Sequence, residues 1–68
     1  MSGGMQYGKL TPNEKKALKM NTSDMNAVAK KLGMSVGGAK AVVMSACRKM
    51  HTENLQTAIM RAGRAGQL

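Results

Sequence analysis

Residues 29–43 read AKKLGMSVGGAKAVV. Starting just upstream, Met25, Val28, Ala29 and Leu32 recur at i, i+3, i+4 and i+7, a spacing that puts four apolar side chains on one helical stripe and turns Lys30 and Lys31 away from it. Gly33 then stops the helix, because glycine enters the left-handed conformation of a C-terminal cap without a Cβ penalty. Ser35 follows as N-cap of a second helix, its hydroxyl able to accept a backbone N–H. In that second helix Val36, Ala39, Val42, Val43, Ala46 and Met50 share a face. Gly37, Ala41, Met44, Ser45 and Arg48 project from the opposite face, with Lys40 on the flank.

A small residue at Ala29, a glycine four positions later and apolar residues at Met34, Ala39 and Val42 are what a helix-turn-helix requires, since its two helices approach closely and share a core. The flanking sequence supplies two more helices. In LTPNEKKALKM, Thr11 is a good N-cap, Pro12 suits the first helical position and Glu14 completes a capping box, while Leu10, Ala17 and Leu18 supply the core side. NTSD is a polar break whose Asp24 directly precedes the Met25 stripe, and HTEN is another, followed by a stripe of Leu55, Ala58, Ile59 and Ala62. No alternating strand pattern competes. The reading is all-α: a four-helix helix-turn-helix domain over residues 10–68, with helices at 12–20, 25–32, 36–50 and 55–62. Residues 1–9 read as a flexible glycine-rich segment whose Tyr7 can lay its ring over the domain, and the tail GRAGQL reads as frayed.

Composition narrows the function classes. Sixty-eight residues make one domain of marginal stability, with eight Met, one Tyr and neither Trp nor Phe to fill its core. One cysteine, Cys47, excludes an intrachain disulfide, and one histidine, His51, leaves no cluster of metal ligands. Eleven Lys and Arg against three acids give a formal charge of +8, which favours a polyanionic partner. The apolar segments are too short to span a bilayer, and MSGGMQYGK lacks a charged region followed by a hydrophobic run, so neither a membrane partner nor a secretion signal is expected. The expected location is cytoplasmic, associated with the nucleoid.

The order of these pieces resembles the DNA-binding domain of the LuxR family, the NarL/FixJ or spore-germination-regulator type, over residues 10–66. LTPNEKKAL is similar to the family's opening helix, AVAKKLGMS to its scaffold helix and turn, and Lys40 with RKM to its recognition helix. NLQTAIMRA is similar to its fourth helix. The resemblance implies a domain that lays its third helix in the major groove and uses its fourth to form a homodimer, here through Leu55, Ile59 and Ala62. It departs where the family has threonine and valine, at Gly38 and Ala39, where it often has histidine, at Val42, and where it usually has glutamate, at Ala27. Family members commonly carry a sensor domain upstream; this chain is expected to act without one of its own.

The candidate DNA-binding residues are Lys30, Lys31, Ser35, Gly37, Gly38, Lys40, Ala41, Met44, Ser45 and Arg48. Lys40 and Arg48 suit phosphate or guanine, while Ala41 and Met44 suit a thymine methyl or, equally, an apolar protein contact. The two glycines either admit close backbone approach to a phosphate or are merely tolerated near a helix start. Cys47 reads as a small buried residue rather than a redox sensor, and His51 as a helix cap rather than a base. No nucleophile and base come together, so neither an enzyme nor a cofactor is implied. The expected function is a small transcriptional regulator that binds double-stranded DNA through residues 35–48. Two rivals stand beside it: a protein-binding module of the same fold that docks on RNA polymerase or a larger regulator, and non-specific, architectural binding driven by charge.

Overall fold

A computed structural model describes residues 6–68. Four helices follow in order: α1 (Pro12–Met20), α2 (Met25–Leu32), α3 (Val36–Lys49) and α4 (Leu55–Arg64). Among the described residues there is no strand, and no helix is long and apolar enough to cross a membrane.

Each helix starts where a polar side chain can accept an otherwise orphaned N–H. Thr11 accepts from Glu14 N–H while Thr11 N–H donates to Glu14 Oε1 at 2.8 Å, closing the capping box. Asp24 accepts from Asn26 and Ala27, Ser35 from Gly38, and Asn54 from Thr57. The ends are set by left-handed residues. Gly33 has φ +67°, and Met34 N–H reaches back to the Ala29 carbonyl at 3.0 Å, so the chain reverses into α3 within three residues. His51, at φ 59°, closes α3 in the same way, with His51 N–H donating to Arg48 O and Thr52 N–H to Cys47 O.

The interior is built largely on alanine: Ala17, Ala29, Ala39, Ala46, Ala58 and Ala62 are six of the eleven buried apolar residues among those described. Small side chains let helix axes approach, and α3, the longest helix, packs against all three others, whereas α2 and α4 do not meet. Two clusters result. Ala17, Val28, Ala29 and Ala39 join α1, α2 and the start of α3. Leu10, Leu18, Ala46, Cys47, Met50, Ala58 and Ala62 join α1, the end of α3 and α4, with Val43 touching both clusters.

Two expectations from the sequence need correction. The tail does not fray at residue 63: α4 continues to Arg64, Gly66 turns left-handed at φ 75°, Gln67 N–H returns to Ala62 O at 2.9 Å, and Leu68 packs on the core. The N-terminal segment lays its Tyr7 over the domain, as expected. Tyr7 packs against the second cluster and Gly8 N–H donates to Lys49 O at 3.2 Å; the remaining residues of that segment, 1–5, lie outside the described ones. Finally, of the stripe read as a dimer surface, Ala62 faces inward at 0% exposed, while Leu55 and Ile59 are half-buried against the same cluster.

An ion pair crosses this packing. Glu14, 4% exposed, meets Lys49 Nζ at 2.8 Å. Burial pushes the Glu14 carboxyl up, but the Lys49 ammonium, the Ser45 hydroxyl and the Thr11 N–H together outweigh it and hold the group at about 2, below its ordinary 4.5. A depressed carboxyl contributes stability that is fully present above the unfolded value and is lost as pH falls through the folded one. The domain should therefore lose on the order of 2 kcal/mol of stability between about pH 5 and pH 2 through this group. Glu14→Gln, which can still accept the cap bond, should be less stable at pH 7 by a similar amount and should show a flattened acid limb. Urea midpoints measured across that range for both proteins check it; parallel acid limbs would assign the sensitivity to another group.

Candidate nucleic-acid interface

α3 buries Ala39, Ala46 and Cys47 and leaves Gly37, Lys40, Ala41, Met44 and Arg48 exposed. These five recur at i, i+3, i+4, i+7 and i+11, the spacing of one helical stripe. The stripe is bare because the other three helices pack on the remaining circumference. Among the described residues, Met44, at 56%, is the more exposed of two exposed large apolar residues, the other being Met60 on α4. Two cations, Lys40 and Arg48, flank it with no carboxylate partner among the described residues.

Ser45 does not belong to this stripe. It is half-buried on the α1 side, where its hydroxyl helps hold the Glu14 carboxylate, so its inclusion among outward-facing donors is corrected. The reason is angular: Ser45 lies about 80° around the helix from Gly37, at 100° per residue, where α1 already covers α3. Ser35 is exposed, but its hydroxyl accepts the Gly38 N–H at 3.1 Å and so is engaged as a cap.

The two glycines differ. A Cβ on Gly37 would lie 4.0 Å from Ser35 Oγ, in ordinary contact, so the domain itself gives no steric reason for glycine there. A Cβ on Gly38 would meet Met34 Sδ at 3.3 Å and Ser35 Oγ at 3.4 Å, so that position is tied to the packing of the turn. Beside them, Asp24, Asn26, Ala27, Lys30, Met34, Ser35 and Val36 line a shallow groove between the starts of α2 and α3. Lys30 thus stands at the rim next to the first turn of α3, while Lys31 is exposed but does not line this groove.

The charges are sorted by the fold. Of the three acids, Glu14 is buried in its ion pair and Asp24 caps α2, so Glu53 alone is exposed with no helix-cap or ion-pair role among the described residues. Two cations are held internally as well. Lys49 bonds Glu14 and the Lys9 carbonyl, and Arg61 donates to the Met50 and His51 carbonyls at 3.0 and 2.7 Å. Neither role was read from the sequence. A basic residue near a helix C-terminus is the only local signal, and the partners lie 35 and 10 or 11 residues away.

At the other end of the stripe, Val43, Met44, Cys47, Arg48, Thr52, Glu53 and Leu55 line a groove of about 500 Å³ between α3 and α4. Cys47 is 6% exposed, and burial pushes its thiol up, so it stays protonated at neutral pH and poorly nucleophilic. His51 serves as the left-handed residue at the end of α3, and its ring lies against Tyr7 with centroids 5.5 Å apart. No group of three or more His, Cys, Asp or Glu able to hold a metal occurs among the described residues.

Comparison with family models, curated proteins and solved structures gives no match to this chain.

The contrast between the glycines is measurable. Gly37→Ala should raise stability by several tenths of a kcal/mol, because helix propensity improves and nothing is displaced. Gly38→Ala should gain less, since Met34 has to give way. Thermal melts of the two variants check this; equal gains would mean that the turn does not constrain Gly38.

Proposed function

We propose that this chain is a four-helix helix-turn-helix domain of the LuxR type that binds double-stranded DNA, with α3 lying in the major groove. One observation carries the reading: the exposed stripe of the central helix bears Lys40 and Arg48, has no acid on it, and begins at an uncrowded Gly37. A helix about 14 residues long has the size to enter a groove about 12 Å wide. In this arrangement Lys40 reaches a guanine edge or a phosphate, Arg48 a phosphate beyond it, and Ala41 with Met44 packs against thymine methyls. Gly37 lets the start of α3 approach the sugar–phosphate backbone closely, and Lys30 adds a phosphate contact from the rim of the turn. Lys31 and the exposed lysines of α1 contribute to the long-range field. In this role the protein is a cytoplasmic, nucleoid-associated regulator of transcription.

The groove beneath Met44 supports a second reading. Val43, Met44, Cys47 and Leu55 give it an apolar lining, and Arg48 and Glu53 give it a charged rim, as a docking site on RNA polymerase or a larger regulator would need. DNA titrations separate the two. Binding to duplex should weaken steeply with salt, with a log–log slope of about −0.9 per neutralised phosphate. Lys40→Ala and Arg48→Ala should each weaken it, and each that removes a phosphate contact should reduce the slope by about 0.9. Equal affinity for random and genomic fragments would indicate architectural binding. A larger loss from Lys15→Ala and Lys19→Ala than from the α3 variants would move the interface to α1, and no duplex binding at low salt would leave the docking reading.

A further inference from the structure

The last turn of α3 draws its hydrogen-bond partners from both ends of the described chain. Its carbonyls begin with local partners: Met50 N–H reaches Ala46 O and Cys47 O, His51 N–H reaches Arg48 O, and Thr52 N–H reaches Cys47 O. The next carbonyl, Lys49 O, accepts Gly8 N–H at 3.2 Å, and Arg61 takes those of Met50 and His51. Residues 6–10 are held in turn by side chains. Gln67 Nε2 donates to Gly8 O at 2.9 Å and Gln67 Oε1 accepts Leu10 N–H at 2.7 Å, while Lys49 Nζ donates to Lys9 O at 3.0 Å. His51 Nε2 lies 2.5 Å from Gln6 O. The arm runs so close to α3 that a Cβ on Gly8 would fall 2.8 Å from Lys49 Cγ.

We propose that residues 6–10 and Gln67 form a clasp that fixes the last turn of α3, and that Lys49 and Gln67 are positioning residues for Arg48. Arg48 shares that turn, and its own carbonyl is part of the cap, yet its side chain is exposed on the outer stripe. The clasp bonds lie on the arm and tail side, so they act on a DNA contact through geometry alone. Holding the turn removes freedom that Arg48 would otherwise lose on binding. The consequence for DNA rests on the function proposed above; the clasp itself is read separately.

The test uses Gln67→Ala in the full chain, followed by amide hydrogen exchange and by salt-dependent DNA titration at a temperature where the variant is fully folded. Gly8 and Leu10 amides should exchange at least tenfold faster, and so should Met50, His51 and Thr52, while Val28, Ala29 and Met34 keep their wild-type rates. Duplex affinity should fall severalfold with an unchanged salt slope, because no cation has been removed. Faster exchange confined to the arm, with the α3 cap unaffected, overturns the clasp. Faster cap exchange with unchanged affinity overturns the positioning role. Absence of duplex binding by the wild type would overturn the DNA reading and with it the positioning role, leaving the exchange rates to decide the clasp. Should Gln67→Ala fail to fold, Gly8→Ala, which presses on the Lys49 methylenes from the other side, gives the same readout.

Discussion

The Glu14–Lys49 pair is the contact on which the arrangement of helices depends. Glu14 belongs to the first turn of α1, where its carboxylate already accepts the Thr11 N–H, and Lys49 ends α3, so one 2.8 Å contact ties the start of one helix to the end of another. The same ammonium reaches Lys9 O and brings in the arm. A buried carboxylate is stable only if its remaining valences are met, and here the Thr11 N–H bonds Glu14 while the half-exposed Lys49 also donates to Lys9 O. Such a pair also favours a single register of α1 against α3, because a misregistered α1 would bury Glu14 without its counter-ion.

That register matters because the core offers little else to fix it. Alanines give close approach but few interlocking shapes, and among the described residues the largest fully buried side chains are Leu18, Met50 and Val28. Met50 lies directly after α3 and is 0% exposed, so the end of α3 is anchored by an unbranched, adaptable side chain and then fixed by hydrogen bonds. At the other end the alanine pair Ala29 and Ala39 sets how near α2 and α3 lie. With three helices packed around it on its small residues, α3 retains one long bare stripe. The proposed chemistry is the chemistry of that stripe: cations at Lys40 and Arg48, methyl and thioether groups between them, and little at Gly37 to hold a partner away.

Much of this is written locally in the sequence. Thr11 with Glu14, Asp24 and Ser35 mark three helix starts, Gly33 marks an end, and the apolar spacing of α2 and α3 fixes their buried sides, because caps and periodicity act over one to two turns. What escaped reading acts over longer distances or at face boundaries. Gln67 meets Gly8 and Leu10 across 59 and 57 residues, and a polar side chain in a glycine-containing tail carries no local sign of such a role. Ser45 sits at the edge between the stripe and the α1 contact, where a small polar residue fits either side. Ala62, Leu55 and Ile59 form a stripe whose periodicity is the same whether it meets the core or a second copy. Within the candidate interface, the exposure of Lys30, Gly37, Lys40, Ala41, Met44 and Arg48 follows directly from helical spacing.

Whether the outer stripe of α3 meets duplex DNA is tested residue by residue by mapping amide chemical shifts of the whole chain during titration with a short duplex. The largest changes are expected on Gly37, Lys40, Ala41, Met44 and Arg48, with Lys30 and Ser35 next, and they should fade as salt is raised. Changes concentrated on Lys15, Lys16 and Lys19, with α3 silent, would contradict that contact.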